Sequence, residues 1–300
     1  MTRETAGPRV VVAVATYRRP DLLAGLLASL EGRDASVEFR VVVVDNDAQA
    51  TGRAAVEACG LPLTYVVEPA AGIAQARNRA LDELTEQDDA VVLVDDDERV
   101  RAGWLDSLVE GWRREGTEVV TGPVISVFAA DCPRWIVEGG FIQRARHASG
   151  TRMPVAATNN TLLALDAWRR VGSPRFDEAF SETGGSDAEF FGRLHDAGFE
   201  IAWIDDAVVE EDVPSSRANL RWIWRRAVRG GNVQARLRLR RKPSWRLLAR
   251  VAVVLPYRAA RLVVGLVHHR RLLERHLVPF AWQVGLLGGV AGRSVREYRR

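Results

Sequence analysis

The sequence predicts an α/β fold with a largely parallel sheet, on two observations. All-apolar runs alternate with helix-periodic segments through the first hundred residues, the pattern of successive βαβ units. The runs also end on hydroxyl or acidic side chains, Thr16, Asp45 and Asp95, and an open α/β sheet binds ligands beyond the carboxyl ends of its strands.

Taken in order, residues 10–15 form a continuous apolar run and a first strand. Pro20 and Asp21 then open a helix whose Leu22, Leu23, Leu26, Leu27 and Leu30 recur at helical spacing. Residues 40–44 are the second strand, ending in Asp45-Asn46-Asp47; residues 63–67 are the third; residues 72–84 read as a helix and 90–94 as the fourth strand. The second hundred residues are less regular, with a helix expected over 166–171. Gly184-Gly185-Ser186-Asp187 leads into an apolar-periodic segment, 188–197, with Ser186 or Asp187 expected as its N-cap. A strand over 200–204 follows.

The chain is long enough for one large or two joined domains, and its composition is that of a globular protein. No signal-peptide pattern is visible, so a cytosolic active site is expected. Cys59 and Cys132 stand far apart with no CxxC pair, which argues against a disulfide framework or a zinc cluster. The net charge of +3 conceals a division near Ser215: residues 215–300 carry 20 Arg and one Lys against Glu274 and Glu297, a balance of +19, and residues 1–214 carry −16. Such asymmetry points to an acidic, metal-using body over 1–214 (halves 1–110 and 111–214) and a basic appendage over 215–300 that seeks an anionic partner.

The run Val91-Val92-Leu93-Val94 followed at once by Asp95-Asp96-Asp97-Glu98 is the most informative motif. Carboxylates this dense repel one another and are costly to desolvate, so they either face water or surround a cation. A hard divalent ion, Mg²⁺ or Mn²⁺, suits oxygen ligands and takes one or two carboxylates with a substrate phosphate. An acidic turn is the plain alternative.

The ordered series VATYRRPDLLAGLLASL, VVVVDND, GIAQARNRAL, VLVDDDE, NNTLLAL, FDEAF and GGSD resembles glycosyltransferase family 2, above all bacterial enzymes that build exopolysaccharide or glycolipid chains, over roughly residues 10–232. The resemblance implies a GT-A fold, a nucleotide-diphosphate sugar donor (a UDP-sugar first), Mg²⁺ or Mn²⁺, and inversion at the anomeric carbon. It assigns Thr16 and Asp45 to the base and ribose, and Arg77 to the side of the nucleotide. Asp95 and Asp96 fall toward ribose and phosphate, Asp97 and Asp95 toward the metal, and Asp187 is the general base. Asn159 and Asn160 match a sugar-contacting region or form a turn, and Trp222, with Trp224, is an acceptor platform or a packing residue. Two departures stand out. Ser186 replaces an acidic residue that supports the base, leaving Glu189 or Glu182 to approach. Ala218 replaces the Gln of a Gln-x-x-Arg-Trp motif ahead of Arg221-Trp222, which favours single-sugar transfer over processive polymerisation. His195, on the same helix face as Asp187, reads as structural.

Beyond residue 215 the arginines and Pro256 argue against a spanning helix over 245–267, and the uncharged stretch 277–292 falls short of the roughly 20 residues a bilayer needs. Interfacial association is expected, anchored by Trp245 and Trp282, and with it a cytoplasmic enzyme peripheral at the inner face of the cell membrane acting on a lipid-linked or glycan acceptor. The alternatives are a sugar-phosphate nucleotidyltransferase, disfavoured because residues 10–20 lack glycine, and a non-catalytic nucleotide-sugar-binding or nucleic-acid-binding protein. No nucleic-acid partner is expected, because the body is acidic.

Overall fold

The computed structural model describes residues 7–31, 36–241, 244–268 and 273–293. The first part of the chain runs β1 (Val10–Thr16), α1 (Pro20–Glu31), β2 (Phe39–Asp45), α2 (Arg53–Glu57), β3 (Leu63–Val67), α3 (Ile73–Asp82), β4 (Ala90–Asp95), β5 (Glu98–Val100) and α4 (Trp104–Glu115). It continues through β6 (Val119–Thr121), β7 (Val124–Phe128), α5 (Arg134–Glu138), β8 (Thr161–Ala164), α6 (Leu165–Arg170), α7 (Ser186–Asp196), β9 (Ile201–Trp203) and β10 (Val209–Val213). Three helices follow: α8 (Leu220–Arg241), α9 (Ser244–His268) and α10 (Leu273–Val290). The chain divides into one unit of residues 1–125, 144–181 and 186–211, and a second of 126–143, 182–185 and 212–300. The division read from charge at Ser215 differs from this, because 126–143 and 182–185 group with the C-terminal helices.

The main sheet has seven strands in the order β3-β2-β1-β4-β8-β6-β9. Strands β1 to β4 are mutually parallel, β8 is antiparallel to both of its neighbours, and β6 and β9 are parallel. A second sheet of three strands, β5-β10-β7, went unread in the sequence.

The apolar runs are continuous because both faces of the sheet are covered. Val10, Val12 and Val14 of β1 meet the α1 leucines and the Trp104 side of α4, and Val11 and Ala13 meet α3 and α7. The same alternation repeats in β2 and β4, as the two-residue side-chain period of a strand requires. Leu23, Leu26, Leu27 and Leu30 of α1 are all buried, and each such side chain contributes about 1.5–3 kcal/mol of transfer free energy. Parallel register then sets the site: Thr16 lies opposite Asp45, and Ala15 opposite Asp95. Three strands therefore end on one line.

Helix α7 begins at Ser186, after Gly184 (φ 73°) and Gly185 (φ 90°) in left-handed backbone. Ser186 and Asp187 are thus the first two helical residues and not the N-cap, a correction of one position. Pro256, expected to break a helix, lies inside α9. It sits on the exposed side, as does Ala252 one turn earlier, so the carbonyl that proline leaves without a donor is not enclosed by the rest of the fold.

In the second unit, α8 and α10 approach backbone to backbone. A Cβ at Gly231 would collide with the Trp282 carbonyl, and one at Gly285 with the carbonyl of Val228. The Trp282 indole donates to Gln234 Oε1 at 3.0 Å and is partly buried, so it is a packing residue and not an interface anchor. Among the described residues no helix is long and apolar enough to cross a membrane. At an exposed helical position Gly→Ala stabilises by about 1 kcal/mol. Gly285→Ala is expected to do the opposite, destabilising by about 2–3 kcal/mol through the clash with Val228, which denaturant unfolding would measure.

Candidate active site

Strand β4 ends at Asp95, and the chain turns through Asp96 and Asp97 into β5. Asp96 is 5% exposed: the Thr16 hydroxyl donates to its Oδ2 at 2.7 Å and Arg19 Nη1 to its Oδ1 at 3.2 Å. The same Arg19 nitrogen reaches Asp97 Oδ2 at 3.4 Å. Asp95 keeps a side chain 40% exposed and pairs with Arg77 Nη2 at 3.4 Å. The other end of Arg77 donates to Ser186 Oγ at 3.0 Å, so one guanidinium ties the end of β4 to the start of α7. Its plane lies over the Phe176 ring at 5.8 Å. A small recess beside it is lined by Ala13, Ala15, Ala80, Thr158, Arg77 and Asp95.

Asp187 is half-buried in the first turn of α7, where its Oδ1 accepts the Ala188 N–H at 2.8 Å. It is close enough for its charge to act on Asp95. Burial within the recess raises the Asp95 carboxyl, Asp97 and Asp187 raise it further, and Arg77 and Arg144 pull the other way. Burial pushes Asp96 up to about 6 against the pull of Arg19 and Thr16. Glu98, 1% exposed, is held well above the ordinary range by burial and then by Asp95; its Oε2 accepts the Asp95 N–H at 3.0 Å and its Oε1 has no hydrogen-bond partner among the described residues. Three carboxyls displaced upward at one point, each by burial first and by its acidic neighbours after that, mark a cluster that is costly to ionise without a counter-ion.

That surplus and the all-oxygen donor set fit a hard divalent cation. Among the described residues no three His, Cys, Asp or Glu converge as a ready-made cage. An ion that takes one or two carboxylates and completes its shell with water and phosphate needs none.

Several residues stand otherwise than expected. Asp45 has no accessible surface, and its carboxylate accepts from the Asp47 N–H (3.1 Å), the Gly52 N–H (2.7 Å) and the Tyr65 hydroxyl (2.8 Å). Burial, and then Asp45 as its acceptor, raise the Tyr65 hydroxyl. Asp45 therefore ties together the loops after β2. Thr16, 3% exposed, gives its hydroxyl proton to Asp96. Asn160 is fully buried at φ 84°: its amide oxygen accepts from the Trp104 indole at 2.7 Å and its amide nitrogen donates to the carbonyls of Pro123 and Ala207. These bonds clamp the start of β8 to α4 and to the loops at Pro123 and Ala207. Asn159, with its amide turned to satisfy both ends, accepts from Arg144 at 2.8 and 3.1 Å.

Trp222 belongs to α8 in the second unit, packed half-buried on Ile136 and Ile223 with Arg226 over its ring at 5.2 Å. Trp224 is tilted against Phe280. Of the two acidic residues expected near Asp187, Glu189 pairs with Arg193 along its own helix at 2.8 Å, and Glu182 is exposed. His195 Nδ1 lies 3.2 Å from the Phe199 carbonyl, a structural role as expected.

Sequence reasoning gave no role to Arg19 or Arg144 and counted Glu98 only as the last of four successive acidic residues. Arg144 pairs with Glu211 at 2.8 Å, and its charge lowers both Asp95 and Glu98. Arg18, in left-handed backbone (φ 54°), turns to Asp47 at 3.2 Å, and the next residue, Arg19, takes the acidic turn. Two arginines between a strand end and Pro20 were the available signal.

An unfolded Asp titrates near 3.8 and folded Asp96 near 6. Between these values the native state holds the extra proton, so stability falls as pH rises, and above pH 6 the full cost, on the order of 2–3 kcal/mol, is present. Asp96→Asn is expected to melt above wild type at about pH 8, the gap closing as the pH falls to about 4; thermal unfolding across that range checks it.

Residues 11–167 match the family described as Glycosyl transferase family 2, and residues 90–293 match Glycosyl transferase family group 2. The chain is 37% identical over 232 residues to the succinoglycan biosynthesis protein ExoM of Rhizobium meliloti (strain 1021), covering 75% of this chain and 74% of that one. Among solved structures it resembles the mannosyltransferase PcManGT of Pyrobaculum calidifontis in complex with GDP-Man and Mn²⁺ (TM-score 0.64, 20% identity, 97% of this chain and 89% of that one). It also resembles S. aureus TarS 1–349 in complex with UDP-GlcNAc (TM-score 0.56, 15% identity, 95% and 92%). These two share its GT-A fold. With an acidic turn beyond β4 on that fold, and a match across more than half its length, the chain belongs to glycosyl transferase family 2 and is a glycosyltransferase.

Proposed function

We propose that this glycosyltransferase moves one sugar, with inversion, from a nucleotide-diphosphate sugar to a hydroxyl of a lipid-linked or polysaccharide precursor. The observation that carries the reading is the Arg77 bridge, which ties the partly exposed Asp95 carboxylate to Ser186 in the first turn of α7, next to Asp187, whose charge acts on Asp95. A donor diphosphate at Asp95 and a base at Asp187 would then address the same anomeric carbon.

Asp187 takes the proton of the acceptor hydroxyl as its oxygen bonds to that carbon, and the bond to the diphosphate breaks on the opposite face. Arg77, already beside Asp95, supplies positive charge at the nucleotide, and Arg19 and Thr16 keep Asp96 in place while the turn binds. Asp97 and Asp95 would hold Mg²⁺ or Mn²⁺, which neutralises charge on the leaving diphosphate. Two solved neighbours carry nucleotide sugars, GDP-Man with Mn²⁺ in one and UDP-GlcNAc in the other, which supports a nucleotide-sugar donor of either base. The similarity to a succinoglycan biosynthesis protein supports an exopolysaccharide acceptor. Ala218 at the place of a processive enzyme's glutamine supports a single transfer. The basic C-terminal region supports a place at an anionic membrane surface, on the cytoplasmic side.

Asp187→Asn is expected to bind the donor within about twofold of wild type and to lose transfer by about 10²–10⁴-fold. Titration of nucleotide sugar against the variant, alongside transfer assays, separates the two. Transfer near the wild-type rate would remove Asp187 from the base role.

A further inference from the structure

Helix α9 has two faces of unlike fate. Leu247 and Val251 are buried against Ala235 and Leu286. The opposite face is apolar and open: Trp245 is 62% exposed, Val253 74%, Tyr257 54%, Val263 60% and Val264 57%. At about 100° per residue these side chains, with Ala249 and Ala260 between them, fall in one sector along the helix. Arg250 and Arg261, both exposed, line one edge of that sector, and exposed Arg246 falls within it near that edge. No Asp or Glu occurs in α9, and neither these arginines nor Arg258 has an ion-pair partner among the described residues. Arg246 lies over the Trp245 ring at 5.2 Å, and Arg261 donates to the Tyr257 hydroxyl at 2.8 Å.

We propose that this face of α9 lies in the interface of an anionic bilayer, with Val253, Val263 and Val264 among the acyl chains, Trp245 and Tyr257 at headgroup level and the arginine edge on lipid phosphates. The proposal gives a specific surface to the membrane association put forward above and rests on that part of the reading. Three features select lipid over other occupants. An apolar sector with a one-sided basic border is the pattern of a helix lying in a membrane plane. Aromatic rings beside arginines suit the headgroup zone, where long side chains keep their charge in water and their stems in apolar surroundings. A second copy of the chain packed face to face would bring arginines near arginines with no carboxylate on either helix to offset them.

The test is flotation of the full chain with vesicles of phosphatidylcholine and phosphatidylglycerol, compared with phosphatidylcholine alone, with nucleotide-sugar binding measured on the same preparations. Wild type is expected to float with the anionic vesicles and far less with the neutral ones. Val253→Asp/Val264→Asp, at exposed positions that leave the fold intact, is expected to lower partitioning at least about tenfold. Arg246→Gln/Arg250→Gln/Arg261→Gln is expected to erase most of the anionic preference, about 10²-fold, since each arginine is worth roughly fivefold near such a surface. Both variants should bind nucleotide sugar as wild type does, so failure at the lipid surface and failure at the donor site are read separately. Equal capture by both vesicle types, an unaffected valine variant, or a dimer that the valine variant dissociates without any vesicle capture would each overturn the proposal.

Discussion

Four successive carboxylates, Asp95 to Glu98, stand at the end of a strand covered on both faces, and their mutual repulsion sets the terms for what surrounds them. The fold gathers guanidinium groups there from separate segments. Arg19 comes from the β1–α1 turn and holds Asp96 and Asp97; Arg77 comes from α3 and holds Asp95; Arg144 acts by charge from the long segment before β8. The compensation is partial, as the raised Asp95, Asp96 and Glu98 show. A carboxylate cluster short of positive charge is costly to keep ionised, and a bound divalent cation would relieve that cost.

The strand ends were legible because their signals are local. Valine runs mark β1, β2 and β4 within a residue of their observed limits, and the leucine spacing marks α1. Parallel pairing then makes the alignment of Thr16, Asp45 and Asp95 a consequence of sheet class alone. What each side chain does at that edge was not legible, because it depends on partners remote in sequence. Asp45 is occupied by Gly52 and Tyr65, Thr16 by Asp96 eighty residues on, and Asn160 by Trp104 fifty-six residues before it. Strand β5, three residues long, carries too little pattern to be read, and the second sheet escaped with it. The start of α7 was displaced by one residue because a cap rule favours serine and aspartate, whereas two left-handed glycines turn the chain there.

Charge asymmetry was the strongest long-range signal in the sequence, and the structure gives it a physical form. The acidic part converges on β4. The basic part is a helical assembly in which α8 and α10 meet through glycines and α9 offers an apolar face edged by arginine. Close glycine packing joins α8 to α10, and the outward apolar side chains of α9 stay exposed.

The central claim is that the acidic turn after β4 is a cation-dependent nucleotide-sugar site. Isothermal titration of UDP- and GDP-sugars into wild type and Asp97→Ala, with Mn²⁺, with Mg²⁺ and with EDTA, tests it most directly. The account predicts binding of one nucleotide family that requires the divalent ion, disappears in EDTA and is weakened in Asp97→Ala. Binding of equal strength without metal and in the variant, or none by folded protein to any nucleotide sugar, would contradict it.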